Sequence, residues 1–224
     1  MVVEPGGKAQ HLTAPRAVLF DWDNTLVDNW ASIHDALNTT FEAMGQSTWS
    51  LAEVRARVRS SARDTFPALF GDRAAAASAI FYDRLKRAHL ETLRELPGAT
   101  ALLEMLAAGP CYLAVVSNKR GDFLRREATQ LGWNTCFGRL VGAGDAEEDK
   151  PSAAPITLAL KESGIEAGTD VWYVGDAMID IECARNAGCV AVLVGDGHGS
   201  ETAQADPDIR LADLTALAML FTTQ

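Results

Sequence analysis

The sequence is short of basic residues: 20 Lys and Arg stand against 30 Asp and Glu in 224 residues, a formal net charge of −10. Nucleic acids and anionic membrane surfaces are bound through a basic face, so this deficit argues against both as partners. Cysteine is scarce as well. Cys111, Cys136, Cys183 and Cys189 form no C-x-x-C pair, and no histidine flanks the short interval between the last two. That leaves no zinc framework, and four reduced, buried thiols in a cytoplasmic protein are the preferred reading. No run reaches the ~18 consecutive apolar residues of a membrane span. Residues 1–15 are polar, carry Gly6, Gly7 and Pro15, and lack an apolar stretch, so they read as an N-terminal tail and not a signal peptide.

What remains is an ordinary globular composition, 48% hydrophobic and 22% charged, which excludes disorder, collagen and coiled coil. Such a chain can bury a full core without disulfides. At ~150 residues per domain, its length suggests one to two domains, or one domain carrying an insertion.

Short apolar runs at 17–20, 112–116, 139–143, 171–174 and 190–194 are rich in β-branched residues and bounded by Gly, Asp or Ser. They read as strands buried on both faces. Helical patterns at 100–107, 122–131, 154–162 and 180–186 alternate with the later strands, which implies βαβ crossovers and a mostly parallel, Rossmann-like α/β sheet. The interval between the first two strands is too long for one crossover. It holds helix-like sequence at 30–44, 51–60 and 72–96, with breaks expected at 45–50 and 61–71. Residues 29–96 are therefore read as an inserted helical domain, and 16–28 with 97–224 as the core domain.

Ligands of open parallel sheets bind beyond the carboxyl ends of the strands, so the residues there carry the functional information. After the first strand come Asp21-Trp22-Asp23-Asn24-Thr25. If strand geometry persisted, Asp21 and Asp23 would project to one face. Two anions that close need a cation or a shared proton between them; an exposed turn with Asp and Asn as helix caps reads the same residues equally well. Ser117-Asn118-Lys119 follow the second strand. A hydroxyl and free amides there could donate to a phosphate, and helix capping is the competing reading. Asp149-Lys150-Pro151 follow the third strand, where a lone Lys is usually solvated. Gly175-Asp176-Ala177-Met178-Ile179-Asp180 follow the fourth, with Gly175 allowing a sharp turn and Asp180 available as an N-cap. Four Asp converging on one sheet edge would form an oxygen-ligand site for a hard cation, favouring Mg²⁺.

The ordered set Asp-x-Asp-x-Thr, Ser, Lys-Pro, Gly-Asp-x-x-x-Asp resembles the haloacid dehalogenase superfamily in its phosphatase branch, most of all the phosphoglycolate phosphatase group. The likeness covers nearly the whole chain, since the helical insertion sits where that superfamily carries a C1 cap. The resemblance implies a Mg²⁺-dependent phosphatase of small phosphorylated metabolites, monomeric or homodimeric. In it Asp21 is the nucleophile that forms an aspartyl-phosphate, and Asp23 is the acid and base, lending its backbone carbonyl to the metal. Asp176 is a metal ligand, and Asp180 is a ligand or its support. Ser117, Asn118 and Lys150 would hold phosphoryl oxygens, with Lys150 also neutralising Asp21. Thr25 and the amides of Trp22 and Asp23 would complete the phosphate cradle. Asn24 stands where the family usually has Gly; Asn tolerates a left-handed backbone better than most residues. Trp22 is larger than usual there and is read as a packing residue.

Arg59, Ser60, Arg63 and Asp64 lie in or beside the expected break of the insertion. Ser60 and Arg63 are candidates for substrate selection, Arg63 through a bidentate grip on a carboxylate; a solvated Arg is an equal reading. His11, His34, His89 and His198 have no motif around them and are given surface or packing roles. The glycine-rich 195–199 stretch lacks the Lys-Ser/Thr of a phosphate loop and reads as a flexible loop. A 2-haloacid dehalogenase would keep Asp21 but needs neither an acid at position 23 nor the Asp176/Asp180 pair. A β-phosphoglucomutase-like enzyme uses the same residues and stays open. A receiver module places its phosphorylated Asp after the third strand and has no insertion after the first.

Overall fold

In the computed structural model, which describes residues 14–58, 62–195 and 206–222 (without the side chains of Arg63 and Asp64), each apolar run becomes a strand. Most of the N-terminal tail, Ser60 and residues 196–199 lie outside the described residues, as do His11 and His198. The chain forms two compact units, Met1–Val27 with Glu95–Gln224, and Asp28–Arg94.

The first unit is built on six strands: β1 (Ala17–Phe20), β4 (Tyr112–Arg120), β5 (Arg139–Ala143), β6 (Val171–Gly175), β7 (Val190–Val194) and β8 (Ile209–Leu211). Two further strands, β2 (Val27–Asp28) and β3 (Arg94–Glu95), pair with each other where the chain passes between the units. The large sheet runs β5-β4-β1-β6-β7-β8 with every described pairing parallel. All residues of β1, β6 and β7 are buried, as expected of a parallel sheet covered on both faces. Helices α5 (Ala99–Ala107), α6 (Gly121–Gln130), α7 (Ala154–Leu160), α8 (Met178–Asn186) and α9 (Leu214–Thr222) supply the cover. Ala17, Leu19, Val116 and Tyr173 pack with Ile156 of α7 and Ile181 of α8. On β6, Trp172, next in the chain to Tyr173, meets Phe221 of α9, 5.7 Å between ring centroids, because alternate strand residues point to opposite faces. After β1 the chain builds outward through β4 and β5, then crosses to β6. That reversal at β1 opens a crevice at the carboxyl ends of β1, β4 and β6.

The second unit contains α1 (Trp30–Ala43), α2 (Leu51–Arg57), α3 (Ala62–Phe70) and α4 (Ala74–Thr92), the last preceded by a 3₁₀ turn, Gly71–Arg73. The expected break at 45–50 is present. Gly45 takes φ +69°, and the amides of Gly45 and Gln46 close onto the carbonyls of Glu42 and Phe41, a Schellman ending. Ser50 then caps α2 reciprocally with Glu53.

The expected break at 61–71 is not there: α3 occupies it, with Pro67 inside the helix. Pro67 removes one helical N–H donor, but Phe66 and Phe70, four residues apart, fall on one face. Their rings meet edge to face at 5.0 Å, and Phe66 meets Phe81 of α4 at 5.2 Å. Burying these rings outweighs the lost bond. His34 bonds Asn38 and the Trp49 carbonyl, and His89 is buried, so both serve packing. All four cysteines are free thiols. Among the described residues, no helix is long and apolar enough to cross a membrane.

Because Pro67 lies past the first turn, Pro67→Ala restores an interior helical bond. We expect it to raise unfolding free energy by about 1–3 kcal/mol in urea titration; unchanged or lower stability would show that α3 is not helical through this residue.

Candidate active site

Asp21 follows β1 directly, and its amide donates to the Val174 carbonyl of β6 at 2.8 Å. The buried Lys150 joins it: Nζ lies 2.7 Å from Asp21 Oδ1 and 2.7 Å from Asp180 Oδ1. Lys150 is held by its own backbone. Asn118 on β4 accepts from the Lys150 amide at 3.0 Å and donates to the Lys150 carbonyl at 3.1 Å. The carboxamide of Asn118 is thus engaged on Lys150. The Lys150–Pro151 peptide is cis.

Asp180 sits in the first turn of α8, not at its N-cap, which is Ala177. Its Oδ2 accepts the Ala177 amide at 3.0 Å, and its Oδ1 takes the Tyr173 hydroxyl at 3.2 Å besides Lys150. Gly175 is required here for room and not for a turn. It does not take a left-handed conformation, and a Cβ added to it would fall 2.3 Å from Asp180 Cγ. Asp176 accepts the hydroxyl of the fully buried Thr25 at 3.1 Å, so Thr25 orients a carboxylate.

Asp21, Asp176 and Asp180 each present an oxygen within 4.8 Å of the others. Three carboxylates facing one Lys leave a surplus of negative charge in a buried place. Burial is the main cause that drives the Asp21 carboxyl up to about 6, with Asp180 adding to it and Lys150 opposing. Burial followed by Asp180 and Asp21 raises Asp176 well above the usual range. Burial alone would lower Lys150, but Asp180 and Asp21 outweigh it and keep the ammonium charged. An all-oxygen donor set with uncompensated charge suits a hard divalent cation.

Asp23 does not join these three side chains. The strand ends at Phe20, and the chain turns through Asn24 at φ +65°, with the amides of Leu26 and Val27 closing onto the Trp22 carbonyl. The alternation expected from strand geometry therefore stops before Asp23, whose Oδ1 meets Lys119 Nζ at 2.7 Å. Asn24 takes the left-handed conformation that its position requires. Ser117 is buried near the end of β4, and its hydroxyl accepts the Lys119 amide at 3.2 Å, so that amide is not free. Trp22 is fully buried, edge-on to Trp133 at 5.5 Å. Arg63 lies in α3 and its side chain is outside the described residues.

Sequence reasoning missed Lys119, Tyr173 and Glu127. A signal for the last existed: Phe123, Leu124 and Ala128 mark the buried stripe of α6 at helical spacing, and Glu127 falls within it.

Residues 18–194 match the family model of haloacid dehalogenase-like hydrolases. The chain is 34% identical over 188 residues to a phosphoglycolate phosphatase of Xanthomonas campestris pv. campestris strain 8004, covering 82% of this chain and 85% of that protein. It is 31% identical over 209 residues to a phosphoglycolate phosphatase of Chromobacterium violaceum, covering 89% and 91%. Its fold matches the crystal structure of a predicted phosphoglycolate phosphatase from Haemophilus somnus 129PT with a TM-score of 0.83 at 24% identity, covering 95% of this chain and 100% of that one.

Asp21 and Asp176 hold their protons more tightly folded than unfolded. The folded state is therefore favoured at low pH and loses that advantage as pH rises from about 4, through about 6 for Asp21. Without metal, Asp176→Asn is expected to melt above the wild type at pH 7.5, with the gap closing toward pH 4. Mg²⁺ is expected to raise the wild-type melting temperature and not that of the variant. A pH-independent gap in calorimetry would refute the charge argument. Gly175→Ala, which crowds Asp180, is expected to weaken Mg²⁺ binding about 10–100-fold by isothermal titration.

Proposed function

Because this chain belongs to the haloacid dehalogenase-like hydrolases, we propose that it is a Mg²⁺-dependent phosphatase that cleaves a small phosphomonoester through an aspartyl-phosphate on Asp21. The observation that carries this reading is the setting of Asp21. It is a buried carboxylate at the carboxyl end of the central strand, bonded through one oxygen to Lys150 and grouped with Asp176 and Asp180. With Lys150 on Oδ1, attack on phosphorus falls to Oδ2. The new Asp21–phosphorus bond forms as the bond from phosphorus to the ester oxygen breaks. Asp23 passes a proton to that departing oxygen. In the second half, Asp23 takes a proton from water, the water oxygen attacks phosphorus, and the Asp21–phosphorus bond breaks. Inorganic phosphate leaves and the Asp21 carboxylate is restored.

Lys150 offsets the charge of Asp21 and stands ready to hold a phosphoryl oxygen. Asp21 and Asp176, with the Asp23 backbone carbonyl, would hold Mg²⁺, while Asp180 has both oxygens engaged and braces Lys150. When bound, Mg²⁺ supplies positive charge against the phosphoryl oxygens and Asp21. Ser117, in the second half of β4 before Arg120, would bond a phosphoryl oxygen. Thr25 contributes indirectly, by orienting Asp176. Asn118 does so through Lys150. Ser60 and Arg63 are proposed to select the substrate, and the names of the two relatives make 2-phosphoglycolate the first ester to test.

The purified protein is expected to release phosphate from members of a phosphomonoester panel with Mg²⁺ and not with EDTA. Asp21→Asn, its fold checked by circular dichroism, is expected to lose about 10⁴-fold or more in kcat. Retained activity in Asp21→Asn, or none on the whole panel, would refute the mechanism. Strong preference for another ester would refute only the choice of 2-phosphoglycolate.

A further inference from the structure

Glu127 is the exception on the buried face of α6. It is 0% exposed among Phe123, Leu124 and Ala128. A carboxylate there loses its hydration and has to be compensated by partners. Trp22 Nε1 donates to Glu127 Oε2 at 2.7 Å, and Lys119 Nζ lies 3.1 Å from the same oxygen. Lys119 in turn reaches Asp23 Oδ1 at 2.7 Å. Trp22 and Asp23 are consecutive, so this set of contacts leaves the turn after β1 and returns to it one residue later. The loop closes through side chains from β4 and α6, both packed elements of the sheet layer. Lys119 is 11% exposed as a side chain, and Trp22 is buried against Trp133. Burial alone would lower Lys119, but Asp23 and Glu127 outweigh it and keep the ammonium charged. One cation is therefore shared by two carboxylates, one inside the helix face and one at the reacting edge.

We propose that Lys119, braced by Glu127 and the Trp22 indole, is a positioning residue that fixes the orientation of the Asp23 carboxyl group for proton transfer to the leaving oxygen. This rests on the acid role given to Asp23 above. The contact through Oδ1 limits rotation of the carboxyl, and the fixed Glu127 keeps Lys119 from following the substrate. In kcat/KM, which covers the steps up to leaving-group departure, orientation of this kind matters only where the leaving group needs a proton. An alkoxide needs one; a nitrophenolate departs without it. The proton later taken from water is common to all esters and bears on kcat.

The test compares kcat/KM for an alkyl phosphate with that for p-nitrophenyl phosphate. Lys119→Met is expected to lower the alkyl value about 10–100-fold and the aryl value less than about 3-fold, and Lys119→Arg to recover most of the alkyl loss. Trp22→Phe, which removes the indole N–H together with part of a buried ring system, is expected to show the same selectivity on a smaller scale, should Lys119→Met fail to fold. Equal losses on both esters would overturn the proposal in favour of a purely structural ion pair. A rise in KM on both with kcat unchanged would overturn it in favour of substrate binding. Asp23→Asn provides the separate control: a loss in kcat/KM confined to the alkyl ester supports the acid role, whereas equal losses in kcat/KM on both would overturn that role and the proposal with it.

Discussion

Three carboxylates crowded against one buried ammonium are the constraint on which the rest of the site depends. Asp21, Asp176 and Asp180 would repel one another in a dry crevice, and Lys150 bonds two of them at 2.7 Å each. Neither bond is incidental to the fold. β1 lies between β4 and β6, so Asp21 emerges where the strand order reverses and the neighbouring strands deliver Asn118 and Asp176 to the same edge. One Lys does not balance three carboxylates. The remaining charge is what prepares the site for a hard divalent cation.

Holding that arrangement takes side chains that never meet a substrate in the proposed mechanism. Asn118 clamps the Lys150 peptide from both sides, and Tyr173 joins Asp180 to the Val116 carbonyl across the sheet. Gly175 leaves the space that the Asp180 carboxylate fills. Thr25 orients Asp176. Apart from Tyr173, whose ring reaches across from within β6, each is a short polar group or a missing one near a strand end, where sheet packing makes positions accurate to a fraction of an ångström. The net charge of −10 is consistent with this picture. The acidic residues that matter are counter-charged within the crevice, and a small phosphate ester does not need a basic surface to be recognised there.

Much of this was legible in advance. The five apolar runs are five of the six strands of the sheet, because β-branched segments bounded by Gly and Asp suit a covered sheet. The short edge strand β8, with exposed Arg210 at its centre, was not among them. The Asp, Ser, Lys and Asp motifs lie at their carboxyl ends because an open parallel sheet has one binding edge. Less legible was α3, where Pro67 reads as a breaker until Phe66 and Phe70 are seen to share a face with Phe81. Lys119 was also hidden, for a lysine after Ser-Asn carries no mark of its distant partner. Glu127 was visible in principle, as a charge on an apolar stripe.

The sequence by itself determined the α/β alternation, the inserted helices and the set of acidic residues at the strand ends, because periodicity and local composition are properties of neighbours in the chain. Only the tertiary structure decided how those residues divide their work. It sent Asp23 to Lys119 and away from the three grouped carboxylates, tied Thr25 to Asp176 and Asn118 to Lys150, and made Gly175 a matter of room. The physical reason is range. Hydrogen bonds and ion pairs act over about 3 Å, and here they join residues 30 to 151 positions apart in the chain.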